Sequence, residues 1–395
     1  MFTSRIYRDV RAHLSTLLTL LVLVSCGGGV DSGGTGSAVA RGPISGFGSI
    51  IVNGVRFDDR AALIQDDDGL ALTRDQLKLG MQTEIDASDF TVNAGKEMAK
   101  ASSIRTRSDL IGQVTGVDTS AGSLVVLGQT VVVTPATVFD ARLVEGLSGI
   151  RVGATLEVHG RYDPSRARFA ATRIEPKVDP LFYKLRGTVN AVDPSTKLMV
   201  IGEQTINFAR LSANDAGAVA VGKLVRVTLQ LNNPAGVWMA ITLRDATFQL
   251  PNRDDAQIEG RISTWVSSRQ FSVDGIPVDA SKASIVGSES SIVMGVRVEI
   301  EGTSSGGVLL ARTVRVEGDE DAGNSTVELH GAIEMLDTAA MTFVVRGVTV
   351  NYGGAVQFSS GSAADLAVGK AVQVQGTPSA SGDRVDATTI SFEGT

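Results

Sequence analysis

Two clusters of acidic side chains are the residues of this 395-residue chain best suited to hold a cation. One occupies residues 66–68 and the other residues 319–321. Several carboxylate oxygens in one loop are the ligands that Ca²⁺ prefers. Neither cluster continues with EF-hand spacing, and neither recurs at the same position elsewhere in the chain, so solvated turns are the preferred interpretation. The calcium candidates are Asp66, Asp67, Asp68, Asp319 and Asp321.

Other catalytic chemistry has little support in the sequence. The three histidines are His13, His159 and His330, and none has a partner at metal-ligand spacing along the chain. The chain contains no Gly-x-Ser-x-Gly elbow, no Walker loop and no His-Glu-x-x-His helix. The sequence therefore predicts no catalytic residue, no metal ligand set and no cofactor.

The single cysteine, Cys26, follows an apolar stretch at residues 14–24 that is preceded by three arginines. This arrangement is typical of a secretion signal. The tetrapeptide Leu23-Val24-Ser25-Cys26 resembles the lipobox of bacterial lipoproteins, in which the cysteine is acylated and the chain is cut before it. The resemblance implies a signal peptide at residues 1–25 and lipidation of Cys26. Because Gly27 rather than aspartate follows, it also implies an outer-membrane lipoprotein.

Residues 26–41 are rich in glycine, serine and threonine and are predicted to form a flexible tether. The formal net charge of the whole chain is −7, and its lysines and arginines are not clustered along the sequence. Nucleic acid is therefore not an expected partner, because phosphate binding depends on clustered cations. The expected membrane attachment is through the N-terminal lipid alone.

A glycine followed two residues later by Ile or Val recurs every ~70 to 75 residues, which indicates a tandem array of one small structural unit. The recurring glycines are Gly42, Gly112, Gly187, Gly260 and Gly331. Within each copy an apolar run ends in a turn glycine, as in Asn53-Gly54, and later positions alternate between apolar and polar residues. These patterns predict β-hairpins and half-buried strands.

Each copy offers about five short strands, which predicts an all-β fold of five tandem, partly open barrels of the oligonucleotide/oligosaccharide-binding (OB) type. Small β-sandwiches are the alternative. Short junctions predict a semi-rigid rod in which each barrel contacts chiefly its neighbours. The predicted repeats span residues 42–109, 110–178, 185–250, 257–317 and 328–395.

The run GFGSIIVNGVRF at residues 46–57 resembles an uncharacterised family of bacterial repeat domains, a domain of unknown function found in secreted lipoproteins. The resemblance extends in weaker form from residue 42 to about residue 393. It implies small β-barrels in the cell envelope and adds no catalytic residue.

The expected function is that of a lipid-anchored cell-envelope protein acting as a non-enzymatic binding or structural and adhesive array. An envelope polysaccharide or protein is the expected partner. A saccharide receptor on a barrel face is the alternative, and an enzyme is the least favoured class. The aromatic residues that could stack on sugar rings, although core packing is preferred for them, are Trp238, Trp265, Phe271 and Phe343.

Overall fold

Short apolar runs separated by glycine turns give a chain that is almost entirely β-strand. The computed structural model describes residues 37–88, 90–93, 96–163, 166–248, 250–316, 327–379 and 384–392. These residues belong to one compact unit. Their helical structure consists of one short α-helix, α1 (Ala213–Gly217), and of 3₁₀ turns at Arg74–Gln76, Gly146–Gly149, Pro234–Gly236, Glu289–Ser291 and Ala363–Asp365. The predicted all-β class is confirmed.

The strands fall into groups that we name barrels I to V. Barrel I contains β1 (Ser37–Gly46), β2 (Ile50–Val52), β3 (Val55–Asp58), β4 (Leu63–Asp66), β5 (Gln82–Ala87), β6 (Thr91–Asn93) and β7 (Lys96–Arg107). Barrel II contains β8 (Leu110–Asp118), β9 (Ser123–Val126), β10 (Gln129–Val132), β11 (Val138–Phe139), β12 (Thr155–Asp163) and β13 (Arg168–Pro176). Barrel III contains β14 (Tyr183–Asp193), β15 (Leu198–Ile201), β16 (Gln204–Asn207), β17 (Leu224–Leu229) and β18 (Val237–Asp245).

The remaining strands form two further groups. Barrel IV contains β19 (Arg253–Ser267), β20 (Gln270–Val273), β21 (Ile276–Asp279), β22 (Ser284–Val286), β23 (Arg297–Ser305) and β24 (Val308–Val316). Barrel V contains β25 (Val327–Asp337), β26 (Thr342–Val345), β27 (Val348–Asn351), β28 (Gln357–Ser359), β29 (Ala371–Pro378) and β30 (Arg384–Phe392).

Barrel II shows how the strands close into a ring. Strand β8 pairs antiparallel with β9, and β9 pairs antiparallel with β10. Strand β10 runs parallel to β13, which pairs antiparallel with β12, and β12 returns to β8. Every ring strand therefore has a neighbour on both sides, which removes open edges. The small barrels are confirmed, but the prediction that they are partly open is wrong, because hydrogen bonds between β12 and β8 close the ring.

The same ring order is found in the other groups. It runs β1-β2-β3-β7-β5-β1, β14-β15-β16-β18-β17-β14, β19-β20-β21-β24-β23-β19 and β25-β26-β27-β30-β29-β25. In each ring the third and last strands are parallel, so the chain between them must cross the end of the barrel. Before the fourth ring strand, that crossing holds α1 in barrel III and a 3₁₀ turn in each of the other barrels, whereas Pro234–Gly236 lies in the hairpin between β17 and β18.

The recurring glycine on the first strand has a steric cause. An ideal Cβ on Gly112 would lie 2.3 Å from Cγ of Leu127, which is the hairpin-turn residue before Gly128. Leu127 and Gly128 have φ of 47° and 64°, as a tight type I′ turn requires. In barrel IV, Asp274 occupies the corresponding place above Gly260, at 2.2 Å. The turn residue therefore folds back over the first strand, and only glycine leaves it room.

The barrels do not form a rod of neighbours in sequence. Residues 37–40 of β1 pair in parallel with β19 of barrel IV, and Gly46 pairs with Glu328 of barrel V. One hydrophobic cluster contains core residues of barrels I and V, and another contains those of barrels II and III. The predicted rod is wrong because the long first strands extend past their own rings and bring further strands alongside.

Several predicted boundaries also change. Strand β1 begins at Ser37, so the end of the predicted tether, 26–41, is strand rather than flexible chain. The reason is apolar burial, since Ala38 and Ala40 are fully buried and Val39 is nearly so. Strands β14 and β19 begin before the predicted starts of their repeats at residues 185 and 257.

Candidate functional site

Asp67 and Asp68 join barrel I to barrel III through ion pairs. Asp67 Oδ1 lies 2.9 Å from Lys184 Nζ, and Asp67 Oδ2 lies 2.5 Å from Arg226 Nη1. Asp68 lies within 3.0 Å of the same two cations. Burial raises the pKa of Asp67, but Lys184 and Arg226 outweigh burial and hold the pKa below its ordinary value.

The first calcium candidate is thus an interface of ion pairs. Asp66 Oδ1 accepts hydrogen bonds from the backbone N–H groups of Asp68 and Leu70, at 2.9 and 2.8 Å, and so closes the turn. The second candidate, Asp319 and Asp321, lies outside the described residues, as does Cys26. The lipidation of Cys26 therefore stays a prediction.

A cavity of about 580 Å³ lies beside this interface and is lined by residues of barrels I, II and III. Glu157 and His159 of β12 and Glu175 of β13 line it. Glu157 is directly opposite Glu175 in the strand register, and His159 lies two residues further along β12, on the same face. One donor atom from each of the three side chains falls within 4.8 Å of the other two.

Each of these three side chains is held by a second group. His159 Nδ1 lies 2.6 Å from the carbonyl oxygen of Arg107, so Nδ1–H is the donor there. Glu157 Oε2 accepts from Lys177 Nζ at 2.6 Å. Glu175 Oε2 accepts from Nε and Nη2 of Arg173, at 3.1 and 3.0 Å. With Oε2 of Glu175 bound to Arg173, Oε1 of Glu175 faces His159 Nε2 at a distance of 3.8 Å.

The electrostatics of this cluster favour positive charge between the carboxylates. Burial lowers the pKa of His159, but Glu175 and Glu157 outweigh burial and raise the pKa above its ordinary value. Burial raises the pKa of Glu175, but His159 and Arg173 outweigh it and hold the pKa well below its ordinary value. Along the chain His159 has no ligand-spaced partner, but strand pairing places two carboxylates beside it. The only sign of this cluster in the sequence was that Glu157 and His159 alternate with core residues along β12.

A second cavity, of about 250 Å³, has five arginines of barrels I and III in its lining. They are Arg105, Arg107, Arg186, Arg226 and Arg244, together with the acids Asp67, Glu84 and Asp245. Arg186 and Arg226 are buried, whereas Arg105 and Arg244 are exposed at the rim. Sequence reasoning missed this cluster because its members lie on strands far apart in the chain.

The buried arginines face both like and opposite charges, since Arg186 pairs with Asp109 at 2.8 Å and Arg226 with Asp67 at 2.5 Å. Burial is the main reason that the pKa of Arg186 is lowered, and Arg107 and Arg226 lower it further against the opposing effect of Asp109. The Nε atom of Arg107 is buried and makes no hydrogen bond within the described part of the chain. Its distance to Asp109 Oδ1 is 3.6 Å.

The aromatic residues do not form one stacking face for sugars. Phe271 and Phe343 are buried in separate hydrophobic clusters, which fits the preferred core interpretation. Trp238 is buried against Tyr183 and donates its indole N–H to Gln204. Trp265 is 46% exposed in barrel IV.

Three stretches of the sequence match one family description, at residues 111–175, 259–315 and 330–391. These segments contain a domain of unknown function (DUF5666). They coincide with barrels II, IV and V. Residues 46–57, on which the expected resemblance was based, lie outside the matched residues. No curated protein matches this chain.

One solved structure, titled "drosophila Unr CSD456", is similar over 55% of this chain and 99% of its own, with 10% identity and a TM-score of 0.15. A score this low supports no statement about fold or function. Within the described ranges, no helix has the length and apolar character needed to cross a membrane.

Proposed function

We propose that this protein is a lipid-anchored, non-enzymatic binding protein of the bacterial cell envelope, built from five copies of one barrel. Two features support the anchor and the array: the lipobox-like sequence ending at Cys26, and the ring order shared by barrels I to V. The ligand we propose is an acidic sugar unit of an envelope polysaccharide. The arginine-lined cavity between barrels I and III is the observation that carries this proposal.

Guanidinium groups suit such a ligand because their planar N–H groups match the two oxygens of a carboxylate. Arg105 and Arg244 make no ion pair with any described residue and stand at the rim, where an incoming anion meets them first. Arg107 and Arg186 lie below, where Asp109 Oδ1 lies 3.6 Å from Arg107 Nε and 2.8 Å from Arg186 Nε, and a bound anion adds further opposite charge. The cavity volume of about 250 Å³ is comparable with the size of one sugar ring.

Calorimetric titration of the full-length protein in detergent with an oligoglucuronate tests the proposal. We expect saturable binding that weakens with salt, because charge dominates recognition. Arg244→Gln should weaken binding by about tenfold, the effect of losing one charge-assisted hydrogen bond. The matched control is Arg312→Gln, because Arg312 is an exposed arginine of barrel IV that pairs with Asp255.

The outcomes separate the parts of the proposal. Equal binding of a neutral glucose oligomer would refute the role of the arginines. Binding of inorganic phosphate with no preference for oligoglucuronate would leave an anion site but refute the sugar ligand. Absence of binding to every anion would refute the receptor function and leave the alternative of a purely structural or adhesive array.

A further inference from the structure

We infer that Glu157, His159 and Glu175 form a binding site for Zn²⁺ in the cavity bordered by barrels I, II and III. This inference is independent of the anion-binding proposal, which concerns the arginine-lined cavity. It rests on strand register, on the orientation of one buried imidazole and on the free oxygens of two carboxylates.

Strand geometry places the three side chains on one face. Leu156, Val158 and Ile174 alternate with them and fill the core of barrel II, where each is at most 1% exposed. Glu157, His159 and Glu175 therefore project from the outer surface of that barrel. Barrel I supplies Lys78, Met81 and Thr106 to the same cavity, so this outward face is covered rather than solvated.

The His159 ring is oriented as in metal-binding histidines. Such histidines commonly donate one ring N–H to a carbonyl or carboxylate and thereby direct the other nitrogen at the metal. Here Nδ1–H donates to the Arg107 carbonyl at 2.6 Å. Nε2 is directed toward Glu175, and it makes no hydrogen bond within the described residues although the side chain is only 3% exposed.

Each of the two carboxylates has one oxygen bound to a cation and the other oxygen available to the proposed metal. Lys177 holds Oε2 of Glu157, and Arg173 holds Oε2 of Glu175. The described residues place no hydrogen bond on Oε1 of Glu157, and Oε1 of Glu175 faces His159. Hydrogen-bonded second oxygens of this kind orient the carboxylate ligands of metal sites.

One imidazole and two carboxylates match the preference of Zn²⁺, whereas Ca²⁺ prefers six to eight oxygens. Tetrahedral Zn²⁺ with bonds of ~2.0 to 2.2 Å requires donor atoms about 3.3 to 3.6 Å apart. The present donors lie within 4.8 Å of one another, so rotation of the two glutamate side chains must close the remaining gap. The cavity has room for water as a fourth ligand.

Lys78, Arg173 and Lys177 already face these carboxylates, so we expect micromolar affinity rather than the tighter binding of thiolate sites. Lys177 is 38% exposed at its side chain and is free to swing into solvent when the metal enters. The test uses the full-length protein in detergent, without a histidine tag, titrated with Zn²⁺ against a chromophoric chelator and with Co²⁺ by visible absorption.

We expect one Zn²⁺ per chain and the absorption bands of four-coordinate Co²⁺. Glu157→Gln should lower Zn²⁺ affinity on the order of 100-fold, since even loss of a second-shell partner costs ~10- to 100-fold. His159→Gln should lower the Zn²⁺ affinity by a similar factor. If the His159→Gln protein does not fold, the Glu157→Gln variant remains the test of the site, because Glu157 is partly exposed. His330→Gln, a change at a histidine of barrel V, is the matched control and should bind as wild type.

Absence of Zn²⁺ uptake by the wild-type chain would overturn the inference, and the cluster would then be a buried ion-pair network only. Zn²⁺ uptake that Glu157→Gln leaves unchanged would also overturn it, because the metal would be bound elsewhere. Loss of uptake in His330→Gln but not in Glu157→Gln would assign the metal to barrel V instead.

Discussion

The ion pairs of Asp67 with Lys184 and Arg226 should be a principal source of stability between barrels I and III. The side chains of Lys184 and Arg226 are 4% and 5% exposed. Asp67→Asn keeps the shape of the side chain but leaves both cations without their main partner. Removing one member of a buried pair costs ~3 to 5 kcal/mol. Because Asp68 still contacts both cations, we expect a loss of about 3 kcal/mol, at the lower end of this range.

Urea unfolding followed by tryptophan fluorescence measures this loss, and one of the two tryptophans, Trp238, lies on β18, beside the strand that carries Arg226. The matched control is Asp58→Asn, since Asp58 pairs with Arg60, whose side chain is 79% exposed. Exposed pairs contribute ~0 to 1 kcal/mol. If the losses in the two variants agree within about 0.5 kcal/mol, the reasoning about the buried interface is refuted.

A double variant refines the interpretation. Adding Arg226→Met to Asp67→Asn should recover part of the lost stability, because it removes one uncompensated buried charge. Millimolar Ca²⁺ should leave the melting temperature of the wild-type protein nearly unchanged, because Lys184 and Arg226 already occupy these carboxylates. A saturable rise of several degrees that Asp66→Asn with Asp68→Asn removes would instead show a native-state calcium site.

Further predictions concern other parts of the chain. Cys26→Ala should abolish lipid labelling and release the protein from membranes; a variant that still fractionates with membranes would contradict the lipobox interpretation. Burial, opposed by Arg297, raises the pKa of Glu259 to about 9. The folded state therefore binds the proton more tightly, and stability should fall as pH rises from about 4.5 to about 9. Glu259→Gln should flatten this fall, measured as the melting temperature against pH. A profile that the variant leaves unchanged would argue against the raised pKa of Glu259. Gly112→Ala should lower the free energy of unfolding by ~1 to 3 kcal/mol through overpacking. Gly116→Ala on the same strand should lower it much less, because an added Cβ there would lie 3.6 Å from its nearest neighbour. Equal losses in the two variants would refute the steric explanation of the recurring glycine.

Much of each barrel could be predicted from local sequence. The turn at Asn53-Gly54 has positive φ at both residues, as the Asn-Gly pair predicts. The alternation of Leu156 and Val158 with polar neighbours identified the core face of β12. These features depend on residues close together in the chain, where glycine conformation and period-two alternation act directly. Ring closure is not local, and the prediction of partly open barrels was accordingly wrong.

The surroundings of outward-facing side chains were decided only by the tertiary structure. A register shift between Ala171 and Arg173 keeps Ile174 in the core and places Arg173 on the outer face of barrel II, where an arginine is expected to be solvated, yet its side chain is fully buried. Barrel I covers it, and the Leu79 carbonyl accepts a hydrogen bond from Arg173 at 3.2 Å. Likewise Asp67 meets Lys184 across 117 residues of sequence. Periodicity tells which face of a strand leaves its own core, but docking between barrels determines whether that face meets water, a cation or a carboxylate.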